Sequence, residues 1–312
     1  IQLDKTSFSD FRFYSFGNLL QFLNATQVSI IESNFEAILS SSKYAMIQTD
    51  SPSFRLVNTT MRYIKNTQSP TLFFLNPSTQ SQVIVENNTF TSISSFDCNH
   101  YETSLETPGI ILSIKPKNLP DNQQLPLILK FLNSDVRDVW CGYVIRLEQV
   151  RCSQCILKNF SSIDQSYPLR KMGLLDLFNN GKSNFRIQEL KFSWNHPSSL
   201  PIIKNIDSDK TTQIILENFI FDGNNLDFSL ALLNSGNLTI VNSLFKNIQL
   251  LSRPLLNLVP YLKDNFEVTV TSYPALHLIN TNFTNIMNPQ QTQPRDTLLG
   301  NVFQYTYTPT KT

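Results

Sequence analysis

Apolar and polar residues alternate with period two in ten short segments of this chain, and the segments share one punctuation. Residues 238–248 (LTIVNSLFKNI) lie over residues 276–286 (LHLINTNFTNI) on the template apolar-x-apolar-x-Asn-x-x-Phe-x-x-Ile. The same template fits 1–11, 28–38, 54–64 and 83–93, and more loosely 127–139, 150–160, 185–195 and 214–224. Stacked on the Phe-like position, the anchors are Phe8, Phe35, Met61, Phe90, Val136, Leu157, Phe192, Phe221, Phe245 and Phe283. Seven and five residues before the anchor every copy is apolar, with Cys152 among these entries, and the residue between is mostly polar. Alternation of this kind marks a strand with one buried face. Three residues before the anchor stand Asn58, Asn87, Asn133, Asn218, Asn242 and Asn280, with Lys5, Glu32, Gln154 and Glu189 in the other copies.

Between the copies lies a second set of short apolar runs, among them LLQFL (19–23), YVIRL (143–147), GLLDLF (173–178), PIIKNI (201–206) and LGNVF (299–303). Two or three short strands per repeat, separated by turns, make the unit of a β-solenoid. Each strand then pairs with its equivalent one coil away, and the apolar columns become internal stacks. The expected fold is all-β: a single right-handed parallel β-helix of about ten coils, forming one domain over residues 1–312. The six column asparagines are expected to form an amide ladder at a tight turn, each bonding to the coils on either side. A leucine-rich repeat is the rival architecture. Successive anchors, however, lie 27, 26, 29, 46, 21, 35, 29, 24 and 38 residues apart. Leucine-rich repeats hold to about 20 to 29 residues, whereas a β-helix accepts long insertions at its turns.

Composition adds to this picture. The 312 residues include 32 asparagines and only 8 glycines, so asparagine, which tolerates left-handed backbone, takes over as turn punctuation. With 25 basic and 24 acidic side chains the net charge is +1, which gives no electrostatic case for nucleic acid or an anionic membrane as partner. No apolar run approaches the roughly 18 to 20 residues of a membrane span.

The whole chain resembles the pectin-lyase-like right-handed β-helix repeats of large secreted or surface proteins of protists, ciliates especially. The resemblance rests on the N-x-x-F-x-x-I segments, the Asn-rich and Gly-poor composition and a lone C-x-x-C. It implies a fold and an extracellular or cell-surface location. Enzymatic members of that superfamily cleave polysaccharides and carry N-T-D, D-D, G-H-G and R-I-K segments or clustered Ca²⁺-binding aspartates. None of these strings is present. Asp135, Arg137 and Asp138 form the nearest carboxylate pair, which reads as a solvated turn ion pair. His100, His196 and His277 lack metal-ligand spacing. The expectation is therefore no catalytic residue, no cofactor and no metal.

Four cysteines, at 98, 141, 152 and 155, allow three disulfide connectivities. Cys98–Cys141 with Cys152–Cys155 is the preferred one, with Cys152 inward and Cys155 at the turn; a zinc site and free thiols are the alternatives. Six N-x-[S/T] sequons occur, at Asn24, Asn58, Asn87, Asn159, Asn237 and Asn282. Asn58 and Asn87 fall in the proposed ladder and are expected bare. Asn24, Asn159, Asn237 and Asn282 fall outside it and are expected to carry sugar.

The template begins at Ile1, and a strand-like run, NVFQYTY, lies near the C-terminus. Neither end reads as a cap. The expected partners are flanking chain or other copies of the protein, stacked end to end through unpaired strand edges, and carbohydrate. The expected function is a non-enzymatic surface or fibre scaffold, N-glycosylated. The alternatives are a carbohydrate-binding module and a divergent polysaccharide lyase or hydrolase.

Overall fold

The computed structural model describes residues 1–13, 17–42, 44–66, 72–95, 109–117, 119–120, 123–140, 142–164, 172–194, 200–250, 255–258, 261–263, 269–272, 274–287 and 303–305. The chain is an all-β parallel β-helix: three long sheets, all parallel, whose strands each pair with their equivalents in the neighbouring coils. Sheet 1 has ten strands and holds the alternating apolar segments, for example Ser53–Val57, Ser81–Glu86 and Leu125–Leu132. Sheet 2 has eleven and holds the anchor segments, for example Asn34–Ser40, Thr60–Asn66 and Thr89–Ser95. Sheet 3 has ten and is built from the second apolar runs, for example Gly142–Glu148, Met172–Phe178 and Ile203–Ile206. One antiparallel pair, Tyr261–Lys263 with Thr269–Ser272, stands outside the three sheets.

Register keeps like residues in line. Phe8 pairs with Phe35, Phe35 with Met61, Met61 with Phe90, and Phe90 with Val136. Further along, Phe192, Phe221, Phe245 and Phe283 follow one another. Phe8 and Phe35 stack with ring centroids 4.9 Å apart, and Phe245 and Phe283 with centroids 5.1 Å apart. One contiguous apolar core fills the interior from Val28 to Leu258, and Leu3, Phe8, Leu276, Phe283 and Ile286 pack against it half-buried.

One copy sits in a different register from the sequence template. Val150–Lys158 pairs with Leu125–Leu132 so that Leu157 lies beside Phe131, not beside Val136. The residue opposite Val136 is Ser162. The template register is off by five residues on this strand, which also carries an irregularity. Leu127 pairs with Cys152 but Ile128 pairs with Gln154, so Ser153 is an extra residue, a β-bulge, on this strand. The misplaced anchor is compensated within the core: Phe160 is buried, 5.6 Å from the Phe131 ring and 6.2 Å from Phe192.

Asparagine takes the glycine role at the turn between sheets 1 and 2. Lys5, Glu32, Asn58, Asn87, Asn133, Asn159, Glu189, Asn218, Asn242 and Asn280 occupy this one position, all with φ between 48° and 56°. Asn159 thus belongs to the column and Gln154 does not, since Lys158 pairs with Leu132 and sets Asn159 beside Asn133. The turn's backbone donors are satisfied from the next coil: Asn58 N–H donates to Glu86 O at 3.0 Å, and Asn87 N–H to Leu132 O at 3.1 Å. Where a sharper turn is needed between sheets 3 and 1, Gly236 has φ 78°, and a Cβ there would meet Thr212 O at 2.8 Å.

Candidate functional site

The ladder asparagines are exposed, and their amides bond in pairs instead of as one continuous ladder. Asn87 Nδ2 donates to Asn58 Oδ1 at 3.2 Å, Asn159 Nδ2 to Asn133 Oδ1 at 3.0 Å, and Asn280 Nδ2 to Asn242 Oδ1 at 3.2 Å. Lys5–Glu32 and Lys158–Glu189 ion pairs lie on the same edge. The ladder that serves buried donors is one residue further on and faces inward. Thr6 N–H donates to Ser33 Oγ, Ser33 N–H to Thr59 Oγ1, Thr59 N–H to Asn88 Oδ1 and Asn88 N–H to Ser134 Oγ. The signal was present as Thr6, Ser33, Thr59, Asn88 and Ser134, immediately after the first five turn residues, while Phe160, Leu190 and Phe219 hold the position after the next three.

The outer face of sheet 3 carries a charged row that the template did not reveal. Arg146, Asp176 and Lys204 pair in register on three successive strands. The Asp176 side chain is 0% exposed, and its oxygens lie 3.4 Å from Arg146 Nη1 and 3.6 Å from Lys204 Nζ. Among the described residues neither oxygen has a donor closer than these two long contacts. Burial raises the Asp176 carboxyl above the usual aspartate range, against the opposing pull of Lys204 and Arg146. Glu148 extends the row, 3.3 Å from Arg146 and 2.7 Å from Lys115, and the Arg146 guanidinium lies 5.9 Å from the centre of the Phe178 ring. The sequence signal is a single charge inside each of three apolar runs, YVIRL, GLLDLF and PIIKNI.

A third feature is an open notch of about 330 Å³ on the outer face of sheet 2, lined by Asp10, Arg12, Leu39, Tyr63 and Lys65, with Ala37 and Ile38. Asp10, Ala37 and Tyr63 are successive members of a second left-handed column, with φ of 58°, 53° and 56°. Ala37, the smallest, leaves the gap, and Tyr63, 58% exposed, forms one wall.

The remaining candidates are dispersed. Cys152 and Cys155 are joined by a disulfide within one strand. Both are buried, so Cys155 is not at the turn, because the bulge at Ser153 rotates it inward. Cys98 and Cys141 lie outside the described residues, as do His100 and His196. His277 is exposed. Asp135 pairs with Arg137 at 3.4 Å, both exposed, and also accepts a hydrogen bond from Ser161. Asn24 and Asn282 are exposed, and Asn237 half-buried. Among the described residues, no group of three or more His, Cys, Asp or Glu is placed to hold a metal ion, and no helix is long and apolar enough to cross a membrane. Comparison with protein-family models, with curated proteins and with solved structures finds no match to this chain.

Proposed function

We propose that this chain is a non-enzymatic scaffold of a cell surface or extracellular fibre, a rod of the pectin-lyase-like right-handed β-helix kind from a protist-type surface protein. The observation that carries the reading is the repetition of one interface along the rod: every coil offers the next an apolar column and a left-handed turn, and most add a side-chain acceptor just after the turn, such as Ser33 or Asn88. Such a stack propagates from neighbour to neighbour and needs no other element to hold it. At the two outermost coils the same interface is part-exposed, with Ile1 59% and Leu278 40% exposed. A further coil or another copy of the protein would cover these residues and pair the strand edges. Sugar on exposed sequons such as Asn24 and Asn282 fits an extracellular rod.

Negative-stain imaging and sedimentation of the native protein test this reading. End-to-end oligomers or fibres are expected; a monomer whose ends are covered by its own loops defeats it. Carbohydrate binding is the second reading, favoured by the Tyr63 notch. Aromatic faces bind sugar rings, and Arg12, Lys65 and Asp10 supply polar partners around it. Titration of oligosaccharides against wild type and Tyr63→Ala tests it, with binding lost in the variant as the expected result.

A further inference from the structure

Two residues after the anchor, strands of sheet 2 bend through a left-handed residue. Asp10, Ser92, Asp138, Asn247 and Asn285 stand at this position with φ between 51° and 58°. Such residues suit it, because a short polar side chain can bond to nearby backbone or to its neighbour. Asn285 Nδ2, for example, donates to Asn247 Oδ1 at 2.8 Å. Ala37 and Tyr63 occupy the same position with φ of 53° and 56° and have no such compensation. Ala37 has no side-chain polar atom, and the Tyr63 hydroxyl lies at the far end of a rigid ring. A bulky residue held in this region is strained. Packing does not account for the choice, since Tyr63 is 58% exposed and Ala37 leaves a gap. The two exceptions stand side by side on neighbouring strands, and together they make the notch on sheet 2.

We infer that this notch is a subsite for one pyranose ring bearing a single anionic group, a carboxylate or a sulfate. The inference deepens the carbohydrate reading above and rests on it. At about 330 Å³ the notch stands at the lower end of the about 300 to 1,000 Å³ of small-molecule sites, room for one ring and not for a chain. Tyr63 offers an aromatic face to the apolar C–H face of the sugar, over a floor of Ala37 and Leu39. Arg12 and Lys65 flank Leu39 in register, one on each neighbouring strand, with their Cα atoms about 9.6 Å apart, two strand spacings. A ring seated over Leu39 therefore lies between two cations. Asp10 supplies one carboxylate against these two charges, and it can accept hydrogen bonds from sugar hydroxyls. Close by, Arg62 is already neutralised by Glu36 at 2.9 Å. The lining is thus left with one positive charge in excess, which a singly anionic sugar balances.

The test is a saturation-transfer NMR titration of the full chain with three matched probes: methyl glucoside, methyl glucuronide and glucose 6-sulfate. One or both charged sugars should bind at least tenfold more tightly than the neutral one, with a gap that narrows as salt is added. Arg12→Gln should remove most of that gap and leave the binding of methyl glucoside in place. Ala37→Asn fills the notch with the residue that Asn247 and Asn285 place at the same turn. It should abolish binding of all three sugars while the melting temperature stays level or rises, and Tyr63→Asn should do the same. Equal binding of charged and neutral sugars, lost in Ala37→Asn, overturns the charge assignment and leaves the carbohydrate reading standing. Sugar binding that survives both Ala37→Asn and Tyr63→Asn overturns the notch as the site. An Ala37→Asn variant that loses binding only because it melts below the wild type overturns the strain argument, and the assignment with it. No binding of any probe, together with none in the oligosaccharide titration, overturns the carbohydrate reading as well.

Discussion

The backbone N–H of Asn88 donates to Ser134 Oγ at 3.2 Å although 46 residues separate them, the longest step between turns in the rod. The insertion changes nothing at this contact, because the donor and acceptor positions are set by the coil stack and not by the chain between. Asn88 is 2% exposed and works in both directions: its Oδ1 accepts from Thr59 N–H at 2.9 Å, and its Nδ2 donates to Leu56 O at 3.0 Å. Asn88→Leu removes the acceptor and strands a buried donor, at a cost of about 1 to 3 kcal/mol. Chemical denaturation checks this; an unchanged midpoint would mean that the inward ladder contributes no stability.

The sheets were legible in the sequence wherever a strand alternates cleanly and ends in an asparagine. Phe245 over Phe283, or Ile30 over Leu56, follows from period two alone. Around 150–160 two registers compete, one with Leu157 and one with Ser162 at the anchor, and the apolar anchor favours the wrong one although Asn159 stands at the turn position of the other. Its anchor position is held by a serine, while Phe160 fills the core from two residues earlier. The charged row of sheet 3 was hidden for another reason. A lone Arg, Asp or Lys in an apolar run reads as an outward residue in water, and only the fold reveals that Arg146 and Asp176 are buried on the outer face.

The left-handed column gives a test of backbone chemistry separate from packing. Asn133 has φ 49° and an exposed side chain. Asn133→Gly should be close to neutral, since glycine accepts this conformation freely. Asn133→Val should cost about 1 to 2 kcal/mol, the penalty for forcing a side chain with a branched Cβ into the left-handed region. Thermal unfolding of the two variants side by side reads the difference, and equal melting temperatures would refute the argument.

Phe245 is 0% exposed, with the rings of Phe283 at 5.1 Å and Phe219 at 5.4 Å. Truncation to alanine removes contacts on both neighbouring coils, and strands held in register on both sides collapse poorly around a void. A loss of about 3 to 5 kcal/mol is expected, measured by the denaturant midpoint at unchanged slope. Phe8, half-buried in an outermost coil, should lose less on the same substitution.

The Asp176 row sets two effects against each other, and the direction of its titration decides between them. Attraction from Arg146 and Lys204 favours the charged carboxylate, while complete burial opposes it and prevails, so the folded-state pKa lies above the unfolded reference of 3.8. A raised pKa means that the folded state binds more protons than the unfolded one through this window. Asp176 therefore contributes stability that is fully present below pH 3.8 and is lost as pH rises through the raised value. Asparagine closely mimics the protonated acid. Asp176→Asn should thus be at least as stable as the wild type at pH 7, even though Lys204 loses a counter-ion, and the gap should close as pH falls toward 3.8. Replacing Arg146, Asp176 and Lys204 together with apolar residues of similar volume should be neutral or stabilising by about 1 to 4 kcal/mol. Asp222 provides the opposite sign. Burial is the largest single influence and raises it, but hydrogen bonds from Asn247, Lys246 and the Asn224 N–H together outweigh that and hold it below 3.8, so its contribution is lost as pH falls through the lowered value. Denaturation midpoints of wild type, Asp176→Asn and Asp222→Asn from pH 3 to 8 check both directions. An Asp176→Asn variant markedly weaker than the wild type at pH 7, with a deficit independent of pH, would show that the ion pairs outweigh the burial.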